Sequence, residues 1–196
     1  MQVRTDLYRD TFAAAPTTAG EIMRMTLHHI PNHRLAFVRV TGPFGQGNAQ
    51  AIAEIKQWAS RRGLLDDGAI LCGIPRDDPS VTPPDECRYD AAIVVNDDLE
   101  LDSTVGVGGL RGGQYAVFDV PHTAEGMGAA WSSIFEEIET RGLAVDGEPI
   151  FEMYTSALLA RHLCQLWVPL RPEHPHRSRN SIAIRSNASF ASTITQ

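Results

Sequence analysis

The sequence predicts an α+β fold: a tandem pseudo-twofold repeat of βαββ units, with an antiparallel sheet, two helices on one face and a ligand groove between the halves. Three observations lead there. At an offset near 80 residues, Phe37-Val38-Arg39-Val40 falls on Val117-Phe118-Asp119-Val120, and Arg62-Gly63-Leu64 falls on Arg141-Gly142-Leu143. Between these anchors, each half carries one stretch of helical period followed by two strand-like runs. The order strand, helix, strand, strand, written twice, excludes a doubly wound parallel sheet, in which strand and helix alternate strictly.

Taken in chain order, residues 1–20 form an N-terminal extension, and the repeats occupy about 21–97 and 104–170. Glu21 to Ile30 alternates apolar and polar through Ile22, Met23, Met25 and Leu27, as a half-buried strand does, with His28 and His29 at its exposed end. Phe37 to Val40 forms the strand before the first helix. That helix spans about Gly47 to Arg62, with Ala49, Ile52, Ile55 and Ala59 on one stripe, and the second spans about Ala124 to Arg141, with Met127, Trp131, Ile134, Phe135 and Ile138 on its stripe. Each ends at Arg followed by Gly, Gly63 or Gly142; glycine suits the C-terminal cap and the cation suits the negative end of the helix dipole. Strands follow at Ile70 to Ile74, Arg88 to Val95, Gln114 to Val120, Pro149 to Tyr154 and Leu163 to Leu170. Residues 171–196 are polar and weakly periodic, as a flexible tail is, and carry four arginines against one glutamate.

Composition narrows the function classes. A chain of 196 residues with 43% hydrophobic and 21% charged residues buries a core without needing a metal or a disulfide. A net charge of −7 disfavours a broad grip on nucleic acid or an anionic membrane, and it mildly favours a cationic small molecule. No apolar run is long enough to span a bilayer, and Arg4, Asp6, Arg9 and Asp10 interrupt any signal sequence, so the expected location is cytoplasmic. Cys72, Cys87 and Cys164 are odd in number and far apart, each in an apolar run, and read as buried reduced thiols with neither metal-ligand spacing nor a nearby histidine base. No metal or cofactor is expected.

Two patterns that resemble sites are set aside. The glycine-rich stretch Val105 to Gly113 has Arg111 where a dinucleotide fingerprint needs glycine and is followed by a strand instead of a helix, so it reads as a flexible loop. The acid pairs Asp66-Asp67, Asp77-Asp78 and Asp97-Asp98 sit at element ends, where aspartate caps turns.

The segment Pro149-Ile150-Phe151-Glu152-Met153-Tyr154 stands apart. Period two puts Phe151 and Met153 on one face and Glu152 with Tyr154 on the other. A carboxylate in such an apolar run is matched by a partner inside the protein, meets a cationic ligand, or faces water from an edge strand.

Val40-Thr41-Gly42-Pro43 before the first helix, Asp77-Asp78-Pro79 leading through Thr82-Pro83 to Cys87-Arg88-Tyr89-Asp90, Gly113 with Tyr115 before His122, Glu152 with Tyr154, and Trp167-Val168-Pro169-Leu170 follow one another in order. In this series the chain resembles the GyrI-like small-molecule-binding family, which includes the effector-binding domains of AraC-type and multidrug-responsive transcription regulators. The resemblance runs from about Ile22 to Leu170. It implies an aromatic-lined groove between the halves with a glutamate at its base that meets cationic or polarised ligands. Glu152 matches that glutamate, and Tyr154, Tyr89, Trp131 and Trp167 are placed around it as ligand-binding residues. A subset of similar proteins hydrolyses the cyclopropane rings of DNA-alkylating natural products; by that resemblance Glu152 and Tyr154 would be the catalytic pair. Residues 1–20 are too short for a helix-turn-helix module, so direct nucleic-acid binding is not expected. The partner is a hydrophobic or cationic small molecule. A third reading, a protein-interaction module that inhibits DNA gyrase, would place the important residues in loops such as Asp97 to Gly113.

Overall fold

The computed structural model describes residues 24–172; the N-terminal extension and nearly all of the tail lie outside them. The chain forms β1 (Met25–Ile30), β2 (His33–Thr41), α1 (Gln46–Arg61), β3 (Leu71–Pro75), β4 (Arg88–Val95), β5 (Gly106–Leu110), β6 (Gly113–Pro121), α2 (Ala124–Thr140), β7 (Phe151–Tyr154), the single-turn α3 (Ser156–Leu159) and β8 (Leu163–Pro169). All eight strands join one antiparallel sheet in the order β1-β6-β8-β7-β3-β4-β2-β5. The α+β class, the antiparallel sheet and the internal repeat are therefore present.

The ladders state the repeat residue by residue. In the first half Val38 faces Ala91, which faces Gly73; in the second Phe118 faces Leu166, which faces Glu152. The sequence anchor pairs Val38 with Phe118, and the two ladders converge on Gly73 and Glu152, which face each other across β3 and β7. The pseudo-twofold axis passes through that pair. Residues directly opposite in a ladder share a face of the sheet, so Val38, Ala91, Gly73, Glu152, Leu166 and Phe118 all point the same way.

Both helices cover that face. Ala51, Ile55, Trp58 and Ala59 of α1 pack with Ala36, Tyr89, Ala91 and Ile93, while Ala130, Ile134 and Ile138 of α2 pack with Ala116, Phe118, Val120 and Leu166. Each helix stops where glycine takes a left-handed conformation, Gly63 at φ +66° and Gly142 at φ +70°. The opposite face is the inside of the curl. Ile30, Leu35, Ile74, Ala92, Val117, Phe151 and Trp167, drawn from both ends of the strand order, pack there as one cluster. Buried beneath its rim, Asp90 is fully enclosed and takes Arg39 Nε and Nη2 at 2.6 and 2.8 Å and Arg76 Nε at 2.6 Å, so that the charge is satisfied on both oxygens.

The sheet departs from two separate βαββ units in one respect: β1 pairs with β6 of the second half, and β5 pairs with β2 of the first. Each half lends its leading strand to the other. The glycine-rich stretch expected to be a flexible loop is this β5. Glycines are required there because the Phe37 ring lies flat against the strand; a Cβ on Gly106 would meet that ring at 2.5 Å and one on Gly108 at 3.3 Å. The two links from lent strand to home strand cross at Asn32 and Gly112, where the Gly112 N–H donates to Asn32 Oδ1 at 2.6 Å. His28, expected at an exposed end, is half-buried with its ring 5.4 Å from that of Trp167.

At the crossing, a Cβ on Gly112 would meet Asn32 N at 2.7 Å, the Pro31 carbonyl carbon at 2.8 Å and Ile30 O at 2.9 Å, all backbone atoms that cannot swing aside. Gly112→Ala is expected to cost about 2 kcal/mol or more in urea unfolding. Gly128→Ala, in α2 with open space around the Cβ, is expected to gain up to about 1 kcal/mol in the same measurement.

Candidate functional site

Because α1 packs on β2 and β4 and α2 on β6, the central β3–β7 strip is left between the helices. Glu152 lies on this strip, half-buried. Its register makes Tyr154 point the same way two residues on, and the Tyr154 hydroxyl donates to Glu152 Oε2 at 2.5 Å. From the other half Tyr89, 2% exposed, leans over β3, placing its hydroxyl 2.1 Å and Glu152 Oε2 2.8 Å from the point where a Gly73 side chain would begin. Trp131 comes down from α2, half-buried, and its indole N–H also serves the Glu152 carboxylate.

Two aromatic side chains that are not among the site residues proposed from sequence border this group. Phe44, just before α1, stands edge-on to Tyr89 with ring centroids 6.5 Å apart. His122, just before α2, stands edge-on to Tyr154 at 5.3 Å. The His122 loop is tied down by its backbone N–H, which donates to the His162 carbonyl at 2.8 Å, and His162 itself adopts φ +57° to present that oxygen. Thr123 caps α2 by accepting from the Gly126 N–H at 3.0 Å, which fixes where the helix starts and hence where Trp131 points. The signal for Phe44 and His122 in sequence is positional: both lie in the strand-to-helix links that flank the seam.

Four of the five residues proposed from sequence thus come together: Glu152, Tyr154, Tyr89 and Trp131. Trp167 does not join them. It faces Phe151 across the ladder and stacks on that ring at 5.7 Å, on the inside of the curl, with its indole N–H donating to Gln165 Oε1 at 3.1 Å. The parity of β8 decides this: Leu166 shares the face of Glu152, so its neighbour Trp167 takes the other.

Burial dominates the electrostatics of the strip. It pushes the Glu152 carboxyl above its ordinary value of 4.5, and the hydrogen bonds from Tyr154 and Trp131 pull it only part of the way back. The Tyr89 and Tyr154 hydroxyls are both pushed up by burial and by the nearby Glu152 charge, so they stay protonated donors at neutral pH. Among the described residues no ion pair involves Glu152. The cysteines are free and buried, and burial lifts the Cys72 and Cys164 thiols to about 12, which makes them poor nucleophiles.

A duplicated antiparallel sheet with two helices on one face is the fold of a class of small-molecule-binding α+β domains. The chain belongs to the GyrI-like small molecule binding domain family, whose profile matches residues 23–171. It is 43% identical to the SPbeta prophage-derived protein YosT of Bacillus subtilis (strain 168), named as a transcriptional regulator, over 76% of this chain and all of that one. It is 30% identical to a DNA gyrase inhibitor of Edwardsiella ictaluri (strain 93-146), over 76% of this chain and 99% of that one. Among solved structures, EcmrR in its DNA-bound transcription complex superposes with a TM-score of 0.61 at 14% identity; the match covers 76% of this chain and 57% of EcmrR. SAV2435 bound to tetraphenylphosphonium superposes with a TM-score of 0.52 at 20% identity, covering 79% of this chain and 98% of that one. At these identities the superpositions establish the shared fold. No helix among the described residues is long and apolar enough to cross a membrane.

A carboxyl raised in the folded state stabilises the protein fully below its unfolded value, and that contribution is lost as pH rises through the folded value. Glu152→Gln is therefore expected to gain on wild type as pH increases from about 4 upward, read as the difference in urea midpoints across a pH series. Tyr154→Phe removes a hydrogen bond that favours the anion, so Glu152 is expected to titrate higher still in that variant, read by carboxyl carbon NMR.

Proposed function

We propose that the protein binds hydrophobic cationic or aromatic small molecules on the β3–β7 strip between its helices, with Glu152 reading the charge and Tyr89, Tyr154 and Trp131 forming the aromatic walls. The observation that carries this reading is a half-buried carboxylate with aromatic neighbours and no ion-pair partner among the described residues. A desolvated anion left in that condition is costly, and a delocalised cation placed over it offsets the cost while adding about 0.5 to 2 kcal/mol for each aromatic face it covers. Such a cation gives up little hydration on entering, which a compact ammonium ion would not match. The tetraphenylphosphonium held by SAV2435, a protein of the same fold, is a ligand of this chemistry. Trp167 packs inside the curl and has no part in this reading.

The hydrogen bond from Tyr154 to Glu152 at 2.5 Å favours a second reading, hydrolysis. There Glu152, with its raised affinity for a proton, would deprotonate water as its oxygen bonds to a ring carbon, while the Tyr154 hydroxyl protonates the anion that develops as the ring bond breaks. Binding and turnover share these residues, so one set of samples separates them.

Tetraphenylphosphonium titrated into wild type is expected to quench tryptophan fluorescence to saturation through Trp131. Glu152→Gln is expected to bind at least tenfold more weakly, about 1.4 kcal/mol. Affinity is expected to fall as pH is lowered through a midpoint above 4.5, since only ionised Glu152 attracts the cation. Equal affinity in wild type and Glu152→Gln would overturn the proposal. Formation of a ring-opened product from a cyclopropane-bearing alkylating compound, lost in Glu152→Gln, would establish the hydrolase reading in its place.

A further inference from the structure

We infer that Gly73 is the positioning residue of this site: the missing side chain on the pseudo-twofold axis is what lets one carboxylate and two tyrosine hydroxyls from different halves converge there. The inference rests on the binding site proposed for Glu152 and adds the residue that shapes it.

Three observations carry it. First, the ladder makes Gly73 the counterpart of Glu152 in the repeat and its direct cross-strand partner. Side chains so placed have Cβ atoms about 4.5–5.5 Å apart, and two like charges there repel. A duplicated fold with the same residue at both positions would crowd its own axis; glycine on one side gives the site to the glutamate on the other. Second, the space is already used. A Gly73 Cβ would meet the Tyr89 hydroxyl at 2.1 Å, Glu152 Oε2 at 2.8 Å and Tyr89 Cζ at 3.0 Å. Tyr89 pairs with Pro75, one strand over and two residues along, and its hydroxyl lies across the bare Cα of Gly73, where Glu152 Oε2 also comes. Third, the backbone does not ask for glycine. Gly73 is absent from the glycines with positive φ, namely Gly42, Gly45, Gly63, Gly113 and Gly142, so its conformation is open to any residue. What selects glycine at this buried strand position is room for side chains arriving from two neighbouring strands.

The consequence is asymmetric use of a symmetric frame. The equivalents of Tyr89 and Glu152 in the other half are Cys164 and Gly73, so only one of the two possible sites exists, and its polar groups come from both repeats.

The test compares wild type, Gly73→Ala, Tyr89→Phe and the double variant, each checked for folding by circular dichroism and urea unfolding. The first readout needs no ligand: the Glu152 carboxyl followed by carbon NMR against pH. In Gly73→Ala the methyl displaces Glu152 Oε2 from the Tyr154 hydroxyl and removes solvent from it, so the midpoint is expected to move up by at least half a unit. Adding Tyr89→Phe removes the atom the methyl strikes first, and the midpoint is expected to return at least halfway to wild type. The second readout, tetraphenylphosphonium affinity, is expected to drop at least tenfold in Gly73→Ala and to recover at least threefold in the double variant. A Glu152 midpoint unchanged in folded Gly73→Ala overturns the inference. If Gly73→Ala does not fold, recovery of folding in the double variant supports the inference, because it identifies the Tyr89 hydroxyl as what the methyl strikes, and a double variant that also fails to fold overturns it by making Gly73 a folding residue only. Absence of tetraphenylphosphonium binding by wild type counts against the proposed function alone, because the titration still decides the role of Gly73.

Discussion

The short ladder between β3 and β7 is the constraint on which the rest of the molecule depends. Three pairs, Leu71 with Tyr154, Cys72 with Met153 and Gly73 with Glu152, join the halves at the centre of the sheet. Their parity sends Glu152 and Tyr154 to the helix face and Cys72 and Met153 to the inside of the curl. A slip of one residue would exchange the two sets, burying the carboxylate among Trp167, Val117 and Ile74 and turning Phe151 and Met153 away from the cluster that holds the curl together. The register is guarded on both sides by burial, which is why so short a ladder is sufficient to fix it.

The lent strands protect that seam. With β1 on β6 and β5 on β2, neither half can leave without tearing a ladder of five or six pairs from the other, and the crossing at Asn32 and Gly112 ties the two ends of the sheet together. Around the rim, the halves solve the same position differently. Arg39 and Asp90 form a charged cross-strand pair in the first half, and their counterparts in the second are Asp119 and Gln165, joined by a neutral amide donating to a carboxylate at 2.8 Å. A duplicated frame thus carries unlike chemistry on its two sides while keeping one backbone path.

The same divergence makes the site. By the alignment of Gly63 with Gly142, Ile52 on α1 stands where Trp131 stands on α2, so one wall of the strip is aliphatic and the other aromatic. A half-buried carboxylate with no ion-pair partner among the described residues is an expensive feature in a fold whose buried acid, Asp90, is gripped by two arginines. The contrast between these two acids within one sheet is that Asp90 is held by fixed cations, whereas the hydrogen bonds to Glu152 come from neutral donors.

Most of the architecture is legible in the chain. The repeat, the helix stripes and their glycine stops are local patterns, and local patterns survive in one dimension because hydrophobic period and capping are decided by near neighbours. Alternation from Phe151 to Tyr154 likewise puts Glu152 and Tyr154 on one face by local geometry alone. Other features have no such signature. Glycines in β5 look like a loop until Phe37, some 70 residues away, is found lying on them, and strand lending is invisible because each lent strand looks the same whichever neighbour it pairs with. Trp167 and Trp131 are both aromatic residues in apolar runs, and only the parity of β8 against β7 and the rotation of α2 about its cap separate them. Near-neighbour patterns in the chain dictate which segments are helix and strand, that they come twice, and that Glu152 is out of place in its run. What surrounds Glu152 is a matter of tertiary structure, because Tyr89, Trp131, Phe44, His122 and the gap at Gly73 arrive from five different segments, and long-range register, which no local pattern encodes, brings them to one point.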